Sequence, residues 1–160
     1  MNHDGYSDDY LRGILRAVKV IAMVGASPHW NRPSYFAMKY LQDKGYRIIP
    51  VNPQAVGQEI LGEKVYADLA DVPDKIDMVD IFRRSDAAGP IVEEAIRKGA
   101  KVVWMQLGVR NDEAAARAEA AGLKVVMNRC PKIEWSRLNG ELAWSGVNTG
   151  IISSKRQKRV

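Results

Sequence analysis

The chain is poor in the side chains that build stapled, metal-bound or membrane-spanning proteins. It has one cysteine, Cys130, two histidines, His3 and His29, and no apolar run near the roughly 20 residues that cross a bilayer. One cysteine forbids an internal disulfide and constrains the compartment only weakly. With two histidines and one thiol, a structural zinc site is a poor reading. The start, Met1-Asn2-His3-Asp4-Gly5, is polar and lacks a signal-peptide core, so a cytoplasmic location and no membrane contact are expected. Acid is missing from the last ten residues, where Lys155, Arg156, Lys158 and Arg159 carry +4 of the net +5 and leave +1 on residues 1–150. The basicity thus belongs to a tail, read as a solvated terminus. No aromatic stacking platform accompanies it, so nucleic acid is a disfavoured partner.

What is present is an ordinary soluble composition, 46% apolar and 27% charged over 160 residues, enough for one domain with a real core. Strand and helix signals alternate. Ser7-Asp8-Asp9 caps a helix to Ala17 whose Leu11, Ile14, Leu15 and Val18 share one face. An apolar strand, Val18–Val24, stops at Gly25, and Pro33 opens a helix that runs to about Lys44. Tyr46–Val51 reads as a second strand, and 59–66 as a small turn or hairpin. Ile76–Phe82 reads as a third strand, Lys101–Met105 as a fourth and Lys124–Asn128 as a fifth. Between them lie helices opening at Ser85-Asp86 and at Asn111, and a last one covers Pro131–Leu138. Asp77 and Asp80 interrupt the third strand and suggest an edge or a polar rim. The expected fold is α/β, a Rossmann-like doubly wound parallel sheet of about five strands in the order 3-2-1-4-5. It forms one domain over residues 1–138, with 139–160 as an extension carrying the basic tail.

Ligands of such a sheet lie outside the carboxyl ends of the strands. The first of those loops has a single glycine rather than G-x-G-x-x-G. The second strand ends Pro50-Val51-Asn52-Pro53, without the carboxylate that binds a ribose in NAD proteins. NAD is therefore disfavoured. Gly25 admits close backbone approach, Ser27 offers a hydroxyl, and Arg32, Arg83 and Arg84 are candidate phosphate partners. Gln106-Leu107-Gly108 follows the fourth strand. Cys130, flanked by Arg129 and Lys132, reads either as a packing thiol or as a reactive one. His29 reads as a loop residue, and no Ser-His-Asp or paired-carboxylate set emerges.

The set Val24-Gly25-Ala26-Ser27, Arg32-Pro33-Ser34, Ile49-Pro50-Val51-Asn52-Pro53, Phe82-Arg83-Arg84-Ser85, Trp104-Met105-Gln106-Leu107-Gly108 and Asn128-Arg129-Cys130-Pro131 resembles the small stand-alone CoA-binding proteins. These are similar to the N-terminal CoA-binding domain of the succinyl-CoA synthetase alpha subunit, and the likeness covers roughly residues 10–138. The resemblance implies coenzyme A along the strand ends. Gly25, Ala26 and Ser27 would meet the pyrophosphate, with Arg32 and Ser34 nearby. Asn52 and Pro53 would line the adenosine side, Arg83, Arg84 and Ser85 would meet phosphate or pantetheine, and Gln106, Leu107 and Gly108 would form the opposite wall. The synthetase uses a phosphorylated histidine from a further domain, and Gln106 stands where its pattern suggests an acid, so ligase activity is not carried over. The expected function is binding of CoA or acyl-CoA by a non-catalytic carrier, sensor or regulatory module. The alternative is a CoA- or nucleotide-dependent enzyme, or a redox protein, that uses Cys130. Protein partners and oligomeric state are left open.

Overall fold

The computed structural model describes residues 1–140; the expected tail and most of the extension lie outside the described residues. In chain order, helix α1 (Asp8–Ala17) leads into strand β1 (Val20–Val24), helix α2 (Pro33–Asp43) and strand β2 (Arg47–Val51). A two-stranded antiparallel hairpin follows, β3 (Glu59–Ile60) with β4 (Glu63–Lys64), then β5 (Met78–Ile81) and α3 (Ala88–Lys98). The chain continues through β6 (Val102–Met105), α4 (Asp112–Ala120), β7 (Lys124–Val126) and α5 (Pro131–Leu138). Local chemistry accounts for the boundaries. Ser7 Oγ accepts from Tyr10 N at 3.1 Å to cap α1, Asn111 Oδ1 caps α4 through Ala114 N at 3.0 Å, and prolines occupy the first positions of α2 and α5. The helix expected from Ser85 begins with a 3-10 turn, Ser85–Ala87, before α3 proper. No helix among the described residues is long and apolar enough to cross a membrane.

Five strands form one parallel sheet in the order β2-β1-β5-β6-β7. Residues of α3 and α4 pack in the core on one face, and α1, α2 and α5 in the core on the other, a doubly wound Rossmann-like arrangement. The expected order is corrected on one point. The third strand of the reading, β5, lies between β1 and β6 at the centre of the sheet, not outside β2. Its four residues are all buried, and it pairs in parallel with β1 on one side and β6 on the other. Asp77 and Asp80 therefore mark no edge. Asp77 Oδ2 accepts from Lys19 N at 3.0 Å and Val20 N at 2.9 Å, fixing the entry to β1. Asp80 is fully buried, in register between Met23 and Trp104.

The two margins of the sheet are finished by side groups. Along β7, the Tyr10 hydroxyl accepts from Val125 N at 3.1 Å and donates to Val125 O at 2.9 Å. The Tyr6 hydroxyl accepts from Met127 N at 2.8 Å. Along β2, Tyr66 N donates to Pro50 O at 3.1 Å, and Asn52 N donates to Tyr66 O at 2.8 Å.

Candidate functional site

The order in which successive strands join the sheet reverses between the parallel strands β1 and β5, and the loops leaving these two strands meet there. Gly25 N donates to Val51 O at 2.8 Å and Phe82 N to Val24 O at 2.8 Å, so three strand ends are stitched together at one point. Gly25 has φ +95°, and a Cβ on it would stand 2.3 Å from the Phe82 carbonyl oxygen. The close approach expected of Gly25 is thus made to its own chain.

Two chambers open around this junction, sharing Phe82 and Arg83 as a common wall. The smaller, about 340 Å³, is polar: Gly25, Ser27, His29, Arg32, Asn52 and Gln58 are among its lining residues. The larger, about 800 Å³, runs between the first turns of α2 and α5, past Phe36, Arg84, Gln106, Leu107, Cys130 and Ile133. Arg32, Arg83, Arg84 and Lys132 border the two chambers, and no carboxylate is among the lining residues described. Such a cleft carries a positive potential and suits an anionic ligand.

The residues singled out in the sequence divide three ways. Gly25, Ser27, Arg32, Asn52 and Arg83 line the polar chamber. Arg83 again, Arg84, Gln106, Leu107 and Cys130 line the larger one. Ala26, Ser34, Pro53, Ser85 and Gly108 line neither, and several of them hold the loops in place. Ser34 Oγ accepts from Ser27 N at 3.0 Å, and Asn52 Nδ2 donates to Ala26 O at 2.9 Å, tying the first loop to α2 and to the end of β2. Ser85 Oγ accepts from Arg110 N at 2.9 Å, and Asn128 Oδ1 accepts from Gly108 N at 2.7 Å, lacing together the loops after β5, β6 and β7.

The charges are unevenly engaged. Arg83 Nη2 lies 3.5 Å from Asn52 Oδ1, and Arg84 pairs with Asp86 at 3.2 Å while staying 84% exposed. Cys130 is buried at the start of α5, but the cations flanking it turn to aromatic rings. The Arg129 guanidinium lies 5.2 Å from the Tyr6 ring centre, and Lys132 Nζ lies 5.5 Å from that of Tyr40. Two buried side chains, Gln106 on the wall of the larger chamber and Asp80 in the central strand β5, have oxygens without a partner among the described residues: Gln106 Oε1 and both Asp80 carboxylate oxygens. Burial pushes the Asp80 carboxyl well above the usual carboxylate range.

Sequence reasoning missed Phe36, Phe82 and Ile133 as wall residues. Phe36 carried a usable signal: it stands outside the buried stripe of Ser34, Ala37, Met38 and Leu41 on α2, an aromatic with no core to enter.

A family model described as a CoA binding domain matches residues 19–136. The uncharacterized protein YneT of Bacillus subtilis is 39% identical over 123 residues, which span 77% of this chain and 90% of that one. A solved structure described as a hypothetical protein from Pyrococcus horikoshii superposes with a TM-score of 0.80 at 46% identity, covering 86% of this chain and 96% of that one. An ADP-forming acetate–CoA ligase of Methanocaldococcus jannaschii is 34% identical over 93 residues, 58% of this chain but only 13% of the ligase.

Proposed function

This chain belongs to the CoA-binding domain family, and from that premise we propose that it binds coenzyme A or an acyl-CoA across the two chambers, as a carrier, sensor or regulatory module and not as a catalyst. The observation that carries the reading is the cleft itself, bordered by four cations and no carboxylate and passing from a polar chamber into a more apolar one. CoA has the same polarity along its length, a phosphorylated nucleotide at one end and a thin pantetheine arm at the other. Gly25, Ala26 and Ser27 lie beside the pyrophosphate in this reading, Arg32 and Arg83 pair with phosphate, and Asn52 borders the nucleotide end. Leu107 and Gln106 receive the arm.

Calorimetric titration tests this directly. CoA is expected to bind in the micromolar range, and Arg83→Met to weaken it by about 10- to 100-fold, the effect of losing one charge-assisted contact. No heat with CoA or dephospho-CoA at millimolar concentration would end the reading.

One observation favours a second reading: the single thiol, Cys130, is on the wall of the larger chamber. Its thiolate would attack a CoA disulfide, forming a protein–CoA mixed disulfide and releasing one CoA thiolate. Intact mass after treatment with oxidised CoA should then show one adduct, removed by dithiothreitol and missing from Cys130→Ser. A folded, CoA-binding protein that gains no adduct excludes it.

A further inference from the structure

Resting on the CoA reading, we propose that the larger chamber selects an acyl thioester of CoA with an apolar chain, and that Gln106 takes an amide N–H of its pantetheine arm. Gln106 is 8% exposed and lines the chamber, and its Oε1, sealed from solvent, has no donor among the described residues, so turning the side-chain amide toward a ligand N–H gains a bond that the unliganded fold does not make. A buried amide oxygen without a donor is unfavourable, and a ligand N–H at that place relieves it. Simple nucleotides bring no amide to this side of Phe82, whereas a pantetheine arm carries two.

Beyond Gln106 the wall carries a run of uncharged side chains, Phe36, Val109, Cys130 and Ile133, beside the cations Arg83, Arg84 and Lys132. Of these cations, Lys132 Nζ also lies 5.5 Å from the Tyr40 ring centre and Arg84 pairs with Asp86 at 3.2 Å. The Phe36, Val109 and Ile133 side chains favour an aliphatic acyl group and give nothing to one that ends in a carboxylate. Phe36 and Leu107, both on this chamber, remain 50% and 53% exposed. Apolar surface of that size flanking a cleft is the mark of a ligand that covers it. With more than twice the volume of the polar chamber, about 800 against about 340 Å³, the larger one has room for a chain beyond the sulfur. A linear or branched aliphatic acyl group of medium length fits these features.

The test is calorimetry of the full chain with CoA, hexanoyl-CoA and succinyl-CoA. Hexanoyl-CoA is expected to bind about tenfold more tightly than CoA, from the apolar surface it covers, and succinyl-CoA no more tightly than CoA. Phe36→Gln, a change at a half-exposed helix position, should cut the hexanoyl advantage, read as the ratio of the two affinities of the variant, below about threefold. Equal affinity for hexanoyl-CoA and CoA, or a preference for succinyl-CoA, overturns the proposal and leaves CoA binding intact. Failure to bind any of the three overturns the CoA reading as well.

Discussion

Gly25→Ala is expected to be among the most damaging single substitutions in the domain, lowering stability by about 3 kcal/mol or more and the melting temperature by roughly 6–12 °C. Two penalties combine. The backbone at φ +95° is one that L side chains rarely adopt, and the added methyl would stand 2.3 Å from Phe82 O and 3.0 Å from Phe82 C. The colliding atoms are backbone, held in turn by Phe82 N donating to Val24 O, so relief requires parting β1 from β5 at the junction of the two chambers. Gly45→Ala separates the two effects. Gly45 has φ +100° but open space where its Cβ would be, so only the dihedral penalty of about 1–2 kcal/mol applies. Thermal melts of both variants check this, and equal shifts would refute the collision. CoA affinity, measured below both melting points, should fall only in Gly25→Ala.

The second large effect is one of pH. Asp80 is fully buried, with neither carboxylate oxygen hydrogen-bonded, so burial raises its pKa in the folded chain well above that in the unfolded chain. The folded protein then holds a proton that the unfolded chain has released. Its contribution is most favourable below the unfolded pKa, near pH 4, and falls as pH rises, by about 1.4 kcal/mol per unit until the buried carboxyl itself ionises. Asp80→Asn removes that titration at nearly constant shape. Wild type and variant should be of comparable stability near pH 4, and the variant should become progressively the more stable toward pH 7.5. Denaturant unfolding of both across this range is the measurement, and a difference that stays flat would show that Asp80 is not carried neutral in the fold.

Much of the architecture was legible because its signals are local. Ser7 and Pro131 mark helix starts by caps and fixed φ, and α1 and α5 begin and end where the pattern put them. Strand order is not local. Both 3-2-1-4-5 and the observed order satisfy the handedness of parallel crossovers, and what separates them is that β5 pairs with both β1 and β6, a long-range choice no local signal carries. Two acids in a short strand argue for an edge by composition. One of them proves to be an N-terminal anchor for β1 and the other an unpaired core group, neither of which has a sequence signature. The cleft shows the same division. Strand-end loops were identifiable by position, and nine of the fourteen residues singled out there line one chamber or the other. The larger chamber also needs the first turns of α2 and α5 to face each other, which only packing decides. Gly25 lines the smaller chamber and also approaches Phe82 within its own chain, and the second contact has no signal in one dimension.

The tyrosines that finish β7 also govern how copies of this chain can meet. Val125 and Met127 would otherwise offer their outward amides as a template for a foreign strand, and the Tyr6 and Tyr10 hydroxyls have already claimed those groups. At the opposite margin, Tyr66 lies across β2 between Pro50 and Asn52. Sheet extension from one molecule into the next, the common route to cross-β aggregates, is therefore blocked at these positions on both sides. Side-chain surface for self-association is offered among the described residues by the exposed Trp30, Phe36 and Leu107, which lie on or next to the rim of the cleft, where a bound ligand would compete for them.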